Sequence, residues 1–385
     1  MYKKILLICL CFFLLFNFSN IIYLNANTIN DEKTFLQDAK SGCLIECKTG
    51  KLIYSKNEHE KLSPASMTKI MTMILVMEKI NSGGINYSDM VITPKEAASL
   101  GGSQIYLSEG EKMSVHDLLK GMCIASANDA AMSLAIYVGG TEKLFVNMMN
   151  EKAKELKLEN TNFVNPYGFD DPNHYSSSYD MAMMASHLIN NYPDILKYTS
   201  IYEDYVREDT EKRFWLVNTN KLVKFMDGVD GLKTGWTNNS GYCLTATINK
   251  NNERFIAVAM GSSSPTIRNQ EISELLQYGV NNYETIQLIK KGDIIEEIND
   301  VSYSPKQFIL TSSSDVIVLK KKTDKVKNYN INKVINLENN EFYIDVYYDD
   351  KLYSRVYLDC ETNIEKANIF ELLFQIIKEL FLGSN

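Results

Sequence analysis

The segment from Ser66 to Met77 limits the possible folds more than any other. Met67, Ile70, Met71, Ile74, Leu75 and Met77 leave it apolar around nearly its whole circumference. A helix without a polar face belongs at the centre of a domain, enclosed by other elements. It stops at Ser82-Gly83-Gly84. Residues 40–56 read as strand, turn and strand around Lys48-Thr49-Gly50, and strands return at 241–249 and 253–261, which are rich in apolar and β-branched residues. Helical patterns fall at 114–124, 129–138, 141–156, 179–190 and 267–283. One sheet made from strands at both ends of residues 38–285 and packed on a helical cluster accounts for this pattern, an α+β architecture.

After Lys290 the character changes. Phe308-Ile309-Leu310, Val316 to Leu319 and Phe342 to Tyr348 are separated by polar turns at short intervals, which predicts a small all-β domain over 288–362 without clustered catalytic residues. A further helix is expected at 367–382. From Ile369 to Leu382 ten of fourteen residues are apolar, with Glu371, Gln375, Lys378 and Glu379 on one face. That pattern fits a helix lying in a membrane interface, or one packed on its own domain or a partner. At the other end, Lys3 and Lys4 precede the apolar run Ile5 to Phe16, and Leu24-Asn25-Ala26 offers a small residue for cleavage, so residues 1–26 read as an export signal or an uncleaved anchor. Either way the remainder works outside the cytoplasm.

The net charge of −8, with no basic stripe, argues against nucleic acid as a partner. Without the two cysteines of the leader, Cys43, Cys47, Cys123, Cys243 and Cys360 remain. The number is odd and no spacing marks a zinc site, so free buried thiols are expected, with at most a local bridge between Cys43 and Cys47. His59, His116, His174 and His187 also lack ligand spacing; neither metal nor cofactor is called for.

Chemistry is carried by three short motifs. Ser66-Met67-Thr68-Lys69 occurs once, at a helix start where residues three apart share a face. A serine hydroxyl needs a base, and a lysine serves as one when an apolar setting lowers its pKa from near ~10.4 toward ~7–8. The competing reading is a capped surface helix with Ser63 or Ser66 as N-cap. Ser126-Ala127-Asn128 falls between two predicted helices, where Ser126 can relay a proton and Asn128 can hold a substrate amide, or where Asn128 merely starts the next helix. Lys233-Thr234-Gly235 precedes Trp236 on a predicted edge strand, giving a cation and a hydroxyl for a carboxylate and a glycine that lets substrate approach the backbone. Ser55-Lys56-Asn57 and Lys48-Thr49-Gly50 match two of these patterns but fall in turns before the nucleophile. Each motif is weak alone. Their order, at separations of 60 and 107 residues, is that of penicillin-binding proteins and class A β-lactamases.

The chain resembles the D-alanyl-D-alanine carboxypeptidases of the low-molecular-mass penicillin-binding proteins, peptidase family S11. The likeness covers residues 38–285 and lies in Ser63 to Thr72, Ile124 to Ala131, Asn165-Pro166-Tyr167-Gly168-Phe169, His174-Tyr175-Ser176 and Asp230 to Gly235. It implies a penicillin-binding/β-lactamase-like transpeptidase domain, an antiparallel sheet with a helical cluster, followed by a β-rich stalk and a membrane-anchoring helix. It further implies that Ser66 attacks the carbonyl between two terminal D-alanines of a peptidoglycan stem peptide, releasing D-alanine and leaving an acyl-enzyme that β-lactams mimic. Lys69 would be the base and Ser126 the proton relay. The oxyanion would lie between the N–H groups of Ser66 and Trp236, while Lys233, Thr234 and Arg268 bind the free carboxylate. Trp236 stands where some relatives carry histidine. Three other readings use the same scaffold: a D,D-endopeptidase, a β-lactamase and a non-catalytic wall-binding protein. Against the β-lactamase, Glu155 and Glu159 fall within or at the end of a predicted helix, and Ala127 stands where aspartate would be expected.

Overall fold

A computed structural model describes residues 34–208, 210–324, 329–348 and 350–382; the expected leader, 1–26, lies outside them. A five-stranded antiparallel sheet forms the spine of the first region. Its strands are β1 (Ser41–Glu46), β2 (Leu52–Lys56), β3 (Val229–Thr237), β4 (Gly241–Lys250) and β5 (Glu253–Ser262), in the order β2-β1-β5-β4-β3. The N-terminal hairpin thus joins strands some 200 residues away through β1 and β5, where Cys43 faces Val258 and Ile45 faces Ile256. β3, which carries the third motif, is an edge strand, as its position in the sequence predicted.

The sheet is covered on both faces, so β4 and β5 read as apolar runs rather than as alternation. Cys43, Ile45, Ile256, Val258 and Met260 pack on one side against the helical cluster. Leu44, Phe255, Ala257 and Ala259 pack on the other, against Ile272, Leu275 and Leu276 of the helix Pro265–Asn282. At the centre of the first side lies α1 (Lys69–Asn81), buried without a break from Lys69 to Met77. Around it stand α2 (Val115–Ile124), α3 (Asn128–Gly139), α4 (Glu142–Glu155) and α5 (Ser178–Asn191); the outer helix Pro265–Asn282 is α6. Side-chain caps fix several starts: Ser114 accepts from Asp117 N, Thr141 from Leu144 N, Ser177 from Asp180 N and Ser264 from Ile267 N.

One boundary differs from expectation. Ser66 does not begin an α-helix: Ala65–Thr68 form a 3-10 turn, and α1 starts at Lys69. Apolar periodicity cannot distinguish a tighter first turn from a regular one.

Beyond α6 the chain is strand-rich. β6 (Tyr283–Ile289) pairs with β9 (Val316–Lys321), while β7 (Ile294–Asn299), β8 (Gln307–Ser312), β10 (Tyr329–Asn336), β11 (Glu341–Tyr348) and β12 (Lys351–Cys360) form a sheet in the order β7-β8-β12-β11-β10. Phe308, Leu310, Val316, Val318, Ile344, Val346 and Leu358 make a separate core. The final helix, α7 (Ile369–Leu382), leaves Ile369, Phe370, Phe374, Leu380 and Phe381 exposed, so its apolar residues are not packed on the domain. No described helix is long and apolar enough to cross a membrane. The five described cysteines are free, four of them buried, and Cys43 and Cys47 form no bridge.

Candidate active site

The 3-10 turn presents Ser66 beside the first residue of α1. Lys69 is fully buried, and its Nζ lies 2.9 Å from Ser66 Oγ. It also donates to Asn128 Oδ1 and to the Tyr167 carbonyl, both at 2.7 Å. The last two partners can only accept. A neutral amine has two protons and one lone pair, so these carbonyls take the protons and the lone pair faces the serine hydroxyl. Burial, the Lys233 cation, and against them the Asp129 carboxylate set its pKa, which falls well below the usual lysine range. The shift is toward the neutral form.

Both groups that hold Lys69 are fixed in turn. Asn128 opens α3, yet its side chain does not cap the helix. Its Nδ2 donates to the Gly101 carbonyl at 2.8 Å while Oδ1 serves Lys69. The cap reading of Asn128 fails, and its first task is to orient the base. Tyr167 belongs to the turn Asn165–Phe169, in which Asn165 Oδ1 accepts the N–H groups of Tyr167, Gly168 and Phe169. Thr72 of α1 donates to the Pro166 carbonyl at 2.7 Å. His174 supports the turn from below: its Nδ1 accepts from Val164 N and its Nε2 meets Thr68 Oγ1 at 2.7 Å. Burial depresses its pKa to about 4 despite Asp171 and Asp170 nearby, so it stays neutral, as a structural histidine. Ser66 and Ser63 do not cap either: Ser63 Oγ donates to Asp170.

Ser126 is buried in the short α2–α3 connection with φ 63°, and Ala65, just before the nucleophile, has φ 46°. For residues other than glycine this left-handed conformation costs ~1–2 kcal/mol, and such strain collects at functional sites.

The third motif lines the other wall. Lys233 is 1% exposed, donates to the Thr234 carbonyl at 3.0 Å, and has its pKa lowered to about 7, chiefly by burial. Thr234 Oγ1 donates to Thr219 Oγ1 at 2.7 Å. Arg268, in the first turn of α6, is 5% exposed, and Nη1 donates to the Cys243 carbonyl at 3.3 Å; burial brings its pKa down to about 10. Among the described residues no carboxylate pairs with Lys69, Lys233 or Arg268. Lys233 and Arg268, buried around one cleft without a counter-ion, make an anion site beside Lys69.

Gly235 has a reason that its sequence position did not reveal. A Cβ there would stand 2.7 Å from the Pro64 carbonyl oxygen and 3.2 Å from Met67 N, so the glycine lets β3 close on the nucleophile turn itself. Trp236 is 54% exposed at the mouth and packs on Tyr242, with ring centroids 5.9 Å apart. Thus all nine expected site residues lie on this turn and the start of α1, the α2–α3 connection and the start of α3, the edge strand or α6. Sequence reasoning missed the Tyr167 carbonyl as an acceptor for Lys69, Thr219, and the bracing by Asn165 and His174. Glu155 binds Lys152 at the end of α4 and is not part of the site. Lys48-Thr49-Gly50 is a hairpin turn tied to the Glu46 carboxylate.

The chain matches the family described as D-alanyl-D-alanine carboxypeptidase, Peptidase S11, over residues 27–264. It is 48% identical to the D-alanyl-D-alanine carboxypeptidase DacF of Bacillus subtilis over 303 residues, which cover 79% of this chain and 77% of that protein. Penicillin-binding protein 5 of Haemophilus influenzae superposes with a TM-score of 0.77 at 29% identity, covering 86% of this chain and 99% of that structure. Penicillin-binding protein D2 of Listeria monocytogenes, solved with cefotaxime bound, gives a TM-score of 0.58 at 28% identity over 64% of this chain and 99% of that structure.

Proposed function

The chain belongs to peptidase family S11 and is a serine-type D-Ala-D-Ala carboxypeptidase, and we propose that its reaction runs through Ser66, Lys69 and Ser126. The substrate is a peptidoglycan stem peptide. Its terminal carboxylate enters the unpaired cationic pocket of Lys233 and Arg268, with Thr234 as a hydroxyl partner. Lys69 removes the proton of Ser66 Oγ as that oxygen adds to the carbonyl carbon between the two D-alanines. The oxyanion lies between the backbone N–H groups of Ser66 and Trp236, which the glycine contact brings close together. Ser126 gives its hydroxyl proton to the departing amine of D-alanine and takes up the one held by Lys69, the C–N bond breaks, and an ester on Ser66 and a neutral Lys69 remain. Water then hydrolyses that ester with Lys69 as the base.

β-Lactams, one of which occupies the Listeria relative, acylate Ser66 by the same addition. The substrate sits outside the cytoplasmic membrane, where an exported chain works, and the exposed apolar residues of α7 fit insertion into the outer face of that membrane. One observation carries the reading: a buried amine held by two carbonyl oxygens at 2.7 Å, and 2.9 Å from a serine oxygen. Mass spectrometry after benzylpenicillin tests it. A single adduct on Ser66, absent in Ser66→Ala, is expected; an adduct elsewhere, or none, contradicts it.

A further inference from the structure

We propose that Asp170 is a positioning residue whose carboxylate latches the strand of Lys233 to Trp236 onto the turn of Ser66, setting the gap in which the oxyanion forms. The proposal rests on the reading of Ser66 as nucleophile. Asp170 Oδ1 accepts two hydroxyl groups, that of Ser63 at 2.8 Å and that of Thr237 at 2.9 Å. Ser63 stands three residues before the nucleophile, and Thr237 directly follows Trp236. One oxygen therefore joins the chain just before one oxyanion donor to the chain just after the other.

The surrounding packing explains why a latch is needed here. Asp170 ends the segment Gly168-Phe169-Asp170, and a Cβ on Gly168 would overlap the Ala65 carbonyl oxygen and stand 2.9 Å from Ser66 N. Gly235, on the opposite flank, also presses on the turn, where a Cβ would stand 2.7 Å from the Pro64 oxygen and 3.2 Å from Met67 N. The nucleophile turn is thus pressed between two glycines, each followed by an exposed aromatic residue, Phe169 and Trp236. Glycine contacts permit close approach but have no side chain to interdigitate, so they do not fix how far the three segments slide past one another. Directional hydrogen bonds to a charged oxygen do. Thr237 is itself set by Ser240, whose Oγ accepts its N–H at 2.8 Å. Oxyanion donors must be placed to a fraction of an ångström, so a small slip at this junction falls on the rate rather than on binding.

Asp170 is exposed and borders an open groove of about 520 Å³ lined by Lys61, Asp171, His174 and Tyr175. Removing its carboxylate therefore leaves no buried group without a partner, and the latch can be cut without unfolding the protein.

The test compares D170A, D170N and T237V for the rate of Ser66 acylation by a fluorescent penicillin and for saturation by the drug before acylation. D170A is expected to acylate roughly 10- to 100-fold more slowly, with saturation changed less than about threefold. D170N keeps an oxygen that accepts both hydroxyl groups and is expected within about threefold of the wild type. Adding T237V to D170A costs little more, because both cut the same link. Acylation of D170A within twofold of the wild type overturns the proposal, as does D170N slowed as much as D170A, or full additivity. A wild-type protein without Ser66-dependent labelling marks a different failure, that of the nucleophile, and the latch falls with it.

Discussion

The cleft and the strand-rich half of the molecule treat buried charge in opposite ways. In the strand-rich half, Lys320 is 6% exposed and meets Glu284 at 2.6 Å, and Asp345 takes the Arg355 guanidinium in two bonds of 2.7 and 2.8 Å. Around the cleft, Lys69, Lys233 and Arg268 are as deeply enclosed and form no ion pair with a described carboxylate, although Asp129 acts on Lys69. Leaving a buried ion without its partner costs ~3–5 kcal/mol. A fold that only had to be stable would not keep three such groups together. Part of the cost is offset by losing the proton, which is why Lys69 falls well below its usual range and Lys233 to about 7. The remainder is recovered when a substrate supplies the anion. On the proposed function the cleft is thus completed by its ligand, and the strand-rich half is complete without one.

Substitutions break this contrast most sharply at the base. Lys69→Ala is expected to slow penicillin acylation by roughly a thousandfold or more, read as the labelling rate, while circular dichroism stays that of a folded protein. Next, Lys233→Met should lower kcat/KM by about a hundredfold, mainly through KM, yet leave the melting temperature of the ligand-free protein equal or higher, because an unpaired buried amine has been replaced by an isosteric apolar chain. The mirror experiment is Glu284→Gln. It strands Lys320 and should cost about 1–2 kcal/mol in denaturant unfolding without altering kcat/KM. If the two lysines behave alike, the contrast is false.

A pH series sharpens the same point more gently. Lys233 loses its proton above about pH 7 in the free enzyme. A bound carboxylate favours the charged form, so substrate must bring a proton with it, and KM should rise between pH 7 and 9 by a fewfold up to about tenfold. The sign for stability is opposite. The pKa of this lysine is lower folded than unfolded, so from about 7 up to its ordinary 10.5 the unfolded chain holds the extra proton. Its contribution to ligand-free stability therefore rises with pH through that window. The smallest effect belongs to α7: deleting residues 369–385 should leave kcat unchanged and abolish co-sedimentation with anionic phospholipid vesicles.

Much of this division was legible in the sequence. The three motifs and their order named the cleft, and the apolar circumference of α1 foretold its burial. The strand-rich second half followed from short runs between polar turns. What escaped was whatever depends on the main chain. The Tyr167 carbonyl completes the shell of Lys69, but a carbonyl is common to every residue type and leaves no mark in a sequence. Gly235 was read as a substrate approach, and its packing contact with Pro64 went unseen, since a glycine does not say what it lets come near. Asn128 was read as a substrate ligand, and its contact with Lys69 went unseen, because an amide with both a donor and an acceptor fits either task. The 3-10 turn at Ser66 escaped because its side chains carry the same apolar pattern as a regular helix.

The central claim is that Lys69 meets Ser66 as a neutral amine. The pH dependence of Ser66 acylation by benzylpenicillin tests it most directly, with the Lys233→Met protein run alongside to separate the two lysines. The rate should reach its plateau with a midpoint well below 10.5. A rate that keeps climbing tenfold per pH unit toward 10.5 would show an ordinary charged lysine at that position and contradict the account.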